Sequence, residues 1–155
     1  MNIGIIVHSQ TGHTYSVAEK LKEKLLAAGH IAKIEKLIPI GTVQPHDRNV
    51  RLEKLPDISG YDALIFGAPV LGFALSPVMS AYLPQLPTLD GKKVAGFVTM
   101  FLPFASMGGK NAINQMGQIC NTKGTKLRET GIINWSGRKR EKQIAEVVES
   151  LSRVF

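Results

Sequence analysis

Short apolar runs punctuate the chain, and most segments between them repeat their apolar residues at helical spacing. Residues 3–7 are uninterruptedly apolar and end at polar positions, as expected for a strand buried on both faces. The next segment places Val17, Leu21, Leu25 and Ala28 on one face, opposes them with charges, and meets a stop at Gly29. Residues 31–34 read as a short strand. A polar, proline-punctuated stretch follows from about 39 to 60, to which the sequence assigns no function. YDALIFGAP, from Tyr61, is a further buried strand running into a glycine–proline turn. LSPVMSAYL then opens a helix, with Ser76 as N-cap and Pro77 at its first position, and Pro84 should end or kink it. Residues 93–100 form another buried strand. Ala112, Ile113, Met116, Ile119 and Cys120 mark the inner face of the next helix, and a last strand lies around 127–135. Ile144, Val147, Val148 and Leu151 line a final helix.

Strands alternating with helical segments call for an α/β fold, a parallel sheet covered by helices on both faces. Five such strands fit one doubly wound domain spanning residues 1–155. Ligands in that architecture sit beyond the carboxyl ends of the strands, where the strand order reverses. The loops that follow the first, third and fourth strands are therefore the ones to read for chemistry: 9–14, 68–73 and 99–109.

The first of these is the most informative. HSQTGHTYSVAEKL crowds Ser9, Thr11, Thr14 and Ser16 against a helix start, with no lysine or arginine before Lys20. A helix N-terminus presents unpaired N–H groups and the positive end of the macrodipole, and Gly12 lets the backbone approach an anion closely. One cap needs one hydroxyl, not four, so the loop reads as a phosphate site built from neutral dipoles. It lacks the lysine of a P-loop and the partner glycines of a dinucleotide fingerprint, which leaves a mononucleotide phosphate.

Composition narrows the rest. The net charge is +7, with Lys123, Lys126, Arg128, Arg138, Lys139, Arg140 and Lys142 gathered toward the C-terminus. This suits either a solvated surface or steering toward an acidic partner or a negatively charged substrate. Nucleic acid is disfavoured, because no aromatics interleave with the basic residues. No apolar run is long enough to span a bilayer and no signal peptide opens the chain, so a cytoplasmic protein without membrane insertion is expected. The lone Cys120 fits a reducing compartment and reads as a packed thiol. His8 reads as structural and Trp135 as core, while His13 is either charged beside a phosphate or merely exposed. Neither a metal cluster nor a nucleophile–base pair is evident, so no catalytic residue is assigned.

Ser9-Gln10-Thr11-Gly12-His13-Thr14 resembles the S/T-x-T-G-x-T phosphate loop of the flavodoxin family, and GAPVLGFALSPVMSAYL resembles its second flavin loop and following helix. The resemblance implies a flavodoxin-like five-stranded sheet of order 2-1-3-4-5 with FMN at the switch point. On that basis Ser9, Gln10, Thr11, Gly12, His13 and Thr14 hold the phosphate. Ala68, Pro69, Val70, Leu71, Gly72 and Phe73, with Thr99, Met100, Phe101, Phe104 and Gly108, enclose the isoalloxazine ring. Phe73, Phe101 and Phe104 either offer that ring apolar faces or pack into the core. Leu71 stands where an aromatic is common, and the chain is basic where many flavodoxins are acidic. The implied activity is electron carriage to and from a redox partner protein, an acidic one suiting the net charge; an FMN-dependent NAD(P)H oxidoreductase acting on quinones or similar acceptors is the alternative.

Overall fold

The computed structural model describes residues 1–155. β1 (Asn2–Val7) is flanked on both sides, pairing in parallel with β2 (Ile31–Lys36) and with β3 (Ala63–Leu71). That central position explains why its sequence is apolar at successive residues rather than alternating. β3 pairs onward with β5 (Lys93–Met100), and β5 with β6 (Leu127–Asn134), so the parallel order is β2-β1-β3-β5-β6. β4 (Ala74–Leu75) is a short antiparallel return of β3. Set aside this hairpin arm and the order is the 2-1-3-4-5 expected from sequence.

The pleat sends alternate side chains to two separate cores. Ile3, Ile5 and Val7 face α1 (His13–Ala27) and α4 (Arg140–Ser152), which bury Val17, Ala18, Leu21 and Leu25 from the first helix and Ile144, Val147, Val148 and Leu151 from the second. On the other face, Ile6, Leu64, Phe66 and Val98 meet α2 (Pro77–Tyr82) and α3 (Gly109–Thr122). Ser76 caps α2 by accepting from the Val78 amide at 3.2 Å, and Pro84 falls in a 3₁₀ turn (Leu83–Gln85) that ends it. Cys120 lies buried on the inner face of α3, where burial pushes its thiol up to about 12.

Three local expectations change. Ala28 lies just past α1 and is exposed, because the chain turns left-handed at Gly29; Ala18 completes the buried stripe instead. The glycine–proline turn is absent, since β3 runs straight through Gly67 and Pro69 to Leu71. β1 stops opposite Gly67, so Pro69 lies beyond the last β1 partner and its missing amide interrupts no β1 ladder. Ile113 and Ile119 are only partly buried and flank the α3 face that Ala112, Met116 and Cys120 define.

No helix connects β2 to β3. The 39–60 stretch instead folds back on itself, with the Ile40 amide on the Arg51 carbonyl at 2.8 Å and the Glu53 amide on the Ile38 carbonyl at 2.9 Å. Leu37 and Ile58 anchor it in the core, and Val43, Val50 and Leu52 pack against that core. This segment supplies the cover that a crossover helix would give. No helix of the chain is long and apolar enough to cross a membrane.

Candidate functional site

At the carboxyl end of β1 the chain enters α1 through Gly12, whose φ of 88° is a left-handed conformation that favours glycine. Gly12 has no side chain to cap the helix. Ser9 does that work from three residues upstream: its Oγ accepts the Gly12 amide at 3.1 Å and the Tyr15 amide at 3.2 Å. The amides of Gln10, Thr11, His13 and Thr14 have no partner within the chain. These four residues form one wall of a cavity of about 180 Å³. Unpaired N–H groups at a helix start are suited to receive an anion.

Thr11 and Thr14 carry the hydroxyls on this wall, but they differ in kind. Thr11 is exposed, whereas Thr14 is buried and shares a 2.9 Å hydrogen bond with the Thr99 hydroxyl. Ser9 does not line the cavity, and the Ser16 hydroxyl donates to the His13 carbonyl at 2.8 Å. The hydroxyls that look equivalent in sequence therefore divide into loop organisers and a cavity wall.

Pro69, Val70 and Leu71 form a second wall, and Thr99, Met100 and Phe101 a third. No carboxylate lines the cavity. Beside it lies a smaller apolar depression bounded by Val70, Gly72, Phe73, Phe101, Leu102 and Met107. Ala68 does not reach either space; its side chain is in the core. None of the three phenylalanines is a core residue: Phe73 is 59% exposed, Phe101 73% and Phe104 64%. Phe104 lines neither hollow.

The turn joining β3 to β4 is Gly72–Phe73, with φ values of 58° and 63°. Two consecutive positive φ angles suit the right-handed twist of a tight hairpin, but the second is held by a bulky side chain at a cost. Its surroundings hold it there. Gly108 packs so close that a Cβ on it would lie 2.6 Å from the Phe73 Cα, and Asn111 donates to the Phe73 carbonyl at 3.0 Å. On the other side, a Cβ on Gly72 would stand 2.6 Å from Nε2 of His46. Gly108 thus acts through packing on the hairpin, and the 39–60 segment reaches the site through Pro45 and His46.

The Phe101 loop is fixed by the end of β6. Trp135 donates its amide to the Met100 carbonyl at 2.7 Å, and the Ser136 hydroxyl donates to the Phe101 carbonyl. Trp135 packs against the core beneath α1 and α4 but is only half-buried, because it follows the last residue of β6, and its ring stacks on His13 with centroids 4.1 Å apart and planes 12° from parallel. Burial, reinforced by repulsion from Arg140, holds the His13 imidazole below its ordinary pKa. Leu102 and Met107 lie in the 99–109 loop that the sequence singled out, whereas Trp135 and His46 come to the site from segments to which the sequence assigned no role there.

His8 lies outside the cavity. Its Nδ1 is 2.5 Å from the Ser76 Oγ, yet Ser76 is fully buried, so this pair is no hydrolytic dyad. Burial lowers the His8 pKa to about 4. No cluster of histidine, cysteine or carboxylate side chains is placed to hold a metal ion.

No model of a known protein family matches the chain, and no curated protein sequence does. Solved structures do. Flavodoxin 2 from Bacillus cereus, in its oxidised form, superposes with a TM-score of 0.71 at 17% identity, covering 100% of both chains. The flavodoxin of Streptococcus pneumoniae TIGR4 gives 0.70 at 15% identity, again over 100% of both. A flavoprotein from Lactobacillus acidophilus NCFM in complex with FMN gives 0.63 at 14% identity, over 94% of this chain and 97% of that one. The chain has a flavodoxin-like α/β fold.

Proposed function

We propose that this chain binds FMN and moves electrons through it. The observation that carries the reading is the conjunction at one sheet edge of four open backbone amides with an apolar, aromatic hollow. The residues present fit the cofactor by type. The amides of Gln10, Thr11, His13 and Thr14 with the Thr11 hydroxyl would hold the phosphate, and Val70, Leu71, Phe73, Met100 and Phe101 would flank the ring. The likeness to a solved FMN complex of the same fold supports the choice of flavin. Bound there, FMN supplies reversible electron transfer, while the protein supplies orientation, access and electrostatics.

Within this reading the chain is an electron carrier. The exposed Phe101 and Phe104 leave the rim open to brief docking, and small contacts suit such exchange. A partner with an acidic face fits the net charge of +7 and the basic residues Arg138, Lys139 and Arg140 next to the Trp135 rim. The same basic residues favour a second reading, an FMN-dependent NAD(P)H oxidoreductase, since they would attract an anionic dinucleotide.

The deciding experiment begins with the visible spectrum of the purified protein and titration of the flavin-free form with FMN. Quenched flavin fluorescence and thermal protection are the expected results; neither appearing in excess FMN would end the proposal. Sustained NAD(P)H oxidation with a quinone would replace the carrier by the oxidoreductase.

A further inference from the structure

His13 is the one ionisable side chain on the cavity wall. The dipoles around it are neutral, and a flavin phosphate brings a charge of nearly two at neutral pH. The imidazole lies flat on Trp135 at 4.1 Å, and that stack favours the position it holds beside the cavity. Charges that face it are few. From α4, Arg140 donates to the Trp135 carbonyl at 3.0 Å and lies 3.6 Å from Glu141, which also pairs with Lys20 of α1 at 3.4 Å. Arg138 and Lys139 stand in the turn before α4. The first turn of α1 contains no acidic residue, and neither the β3–β4 hairpin nor residues 99–109 contain one. Without a ligand, then, His13 has cationic company and no anion of its own.

We propose that His13, clamped on Trp135, is the switchable cation of the cradle: it takes a proton from solvent when a flavin phosphate seats, and so makes the site select phosphorylated over unphosphorylated flavin. This rests on the FMN reading above. In the ligand-free site, burial and Arg140 both disfavour the charged ring. A phosphate beside it reverses the local field and favours the imidazolium. Proton uptake on binding means that affinity for FMN rises as pH falls through the histidine pKa of the complex, and levels off below that of the free protein. Each unit separating those two pKa values is worth about tenfold in affinity. Riboflavin, lacking the phosphate, shows no such gain.

The test exploits the only tryptophan of the chain. In flavin-free protein, the pH dependence of Trp135 fluorescence reports protonation of the ring stacked on it, and imidazole NMR shifts report His13 in both free and FMN-bound protein. The expected result is a His13 pKa at least one unit higher with FMN than without, and unchanged by riboflavin. With a gap of one unit, the His13 contribution to the ratio of FMN to riboflavin affinity should then rise about fivefold between pH 8 and pH 6. His13→Asn should remove that rise and leave only the opposing loss as the phosphate itself takes a proton, and His13→Lys should keep FMN binding tight without the histidine step. An unchanged His13 pKa, or a ratio indifferent to His13→Asn, overturns the proposal while leaving FMN binding intact. Failure of the wild-type protein to bind either flavin overturns the FMN reading, and this inference with it.

Discussion

The hydroxyls of Thr14 and Thr99 meet at 2.9 Å, both side chains buried, and join the start of α1 to the end of β5 across 85 residues of sequence. One of the two donates and the other accepts, so each supplies what burial denies its partner. Replacing Thr14 alone by Val should cost ~1–3 kcal/mol, because the Thr99 hydroxyl is then buried without a partner. Thr99→Val should cost a similar amount. The double variant should cost well below the sum of the two, since nothing polar remains stranded. Urea denaturation of all four proteins gives the coupling directly, and simple additivity would deny the bond any role.

The left-handed Phe73 makes an unusual comparison available. Phe73→Gly and Phe73→Ala both remove the exposed ring, but only alanine keeps a Cβ at φ 63°. The glycine variant should therefore be the more stable of the pair by about 1 kcal/mol, the reverse of an ordinary strand position. Both should bind FMN more weakly than the wild type. Thermal melts of the flavin-free variants check the first statement and FMN titration the second.

His8 ties stability to pH. Its folded pKa, about 4, lies below the ordinary 6.5, so the unfolded chain binds more protons between these values. Stability is complete above pH 6.5 and falls as pH drops toward 4, by roughly 2 kcal/mol on reaching pH 5. His13 is lowered too and acts in the same direction. Subtracting the pH 7-to-5 loss in His8→Gln from that of the wild type isolates the His8 share, and equal losses would contradict the assignment.

A flavin gains negative charge as it is fully reduced, and the cavity offers no carboxylate to oppose it within a chain of net charge +7. The final reduction step should then lie at a less negative potential than in an acidic flavodoxin. Added salt should push it more negative by screening the positive field. Redox titration of the FMN-loaded protein at low and high ionic strength decides this, and a salt-independent potential as low as in acidic relatives would refute it.

Much of this protein was determined by relations between near neighbours in sequence. The continuous apolar runs announced strands buried on two faces, and the helical stripes around Leu21, Met116 and Val148 announced what covers them. Ser76–Pro77 marked one helix start and Gly12 with the hydroxyls around it marked another, because caps and turns depend on atoms within one helical turn. What tertiary structure alone decided was which of those hydroxyls faces the cavity. Ser9 turns inward to hold amides, while Thr14 finds Thr99. It also decided that β3 ignores Pro69 and turns at Phe73, that His46 reaches Gly72, and that Trp135 lies on His13 at the edge of the core. These contacts form between residues far apart in sequence. They depend on strand register and on how far each strand outruns its neighbour, and local periodicity holds no record of either.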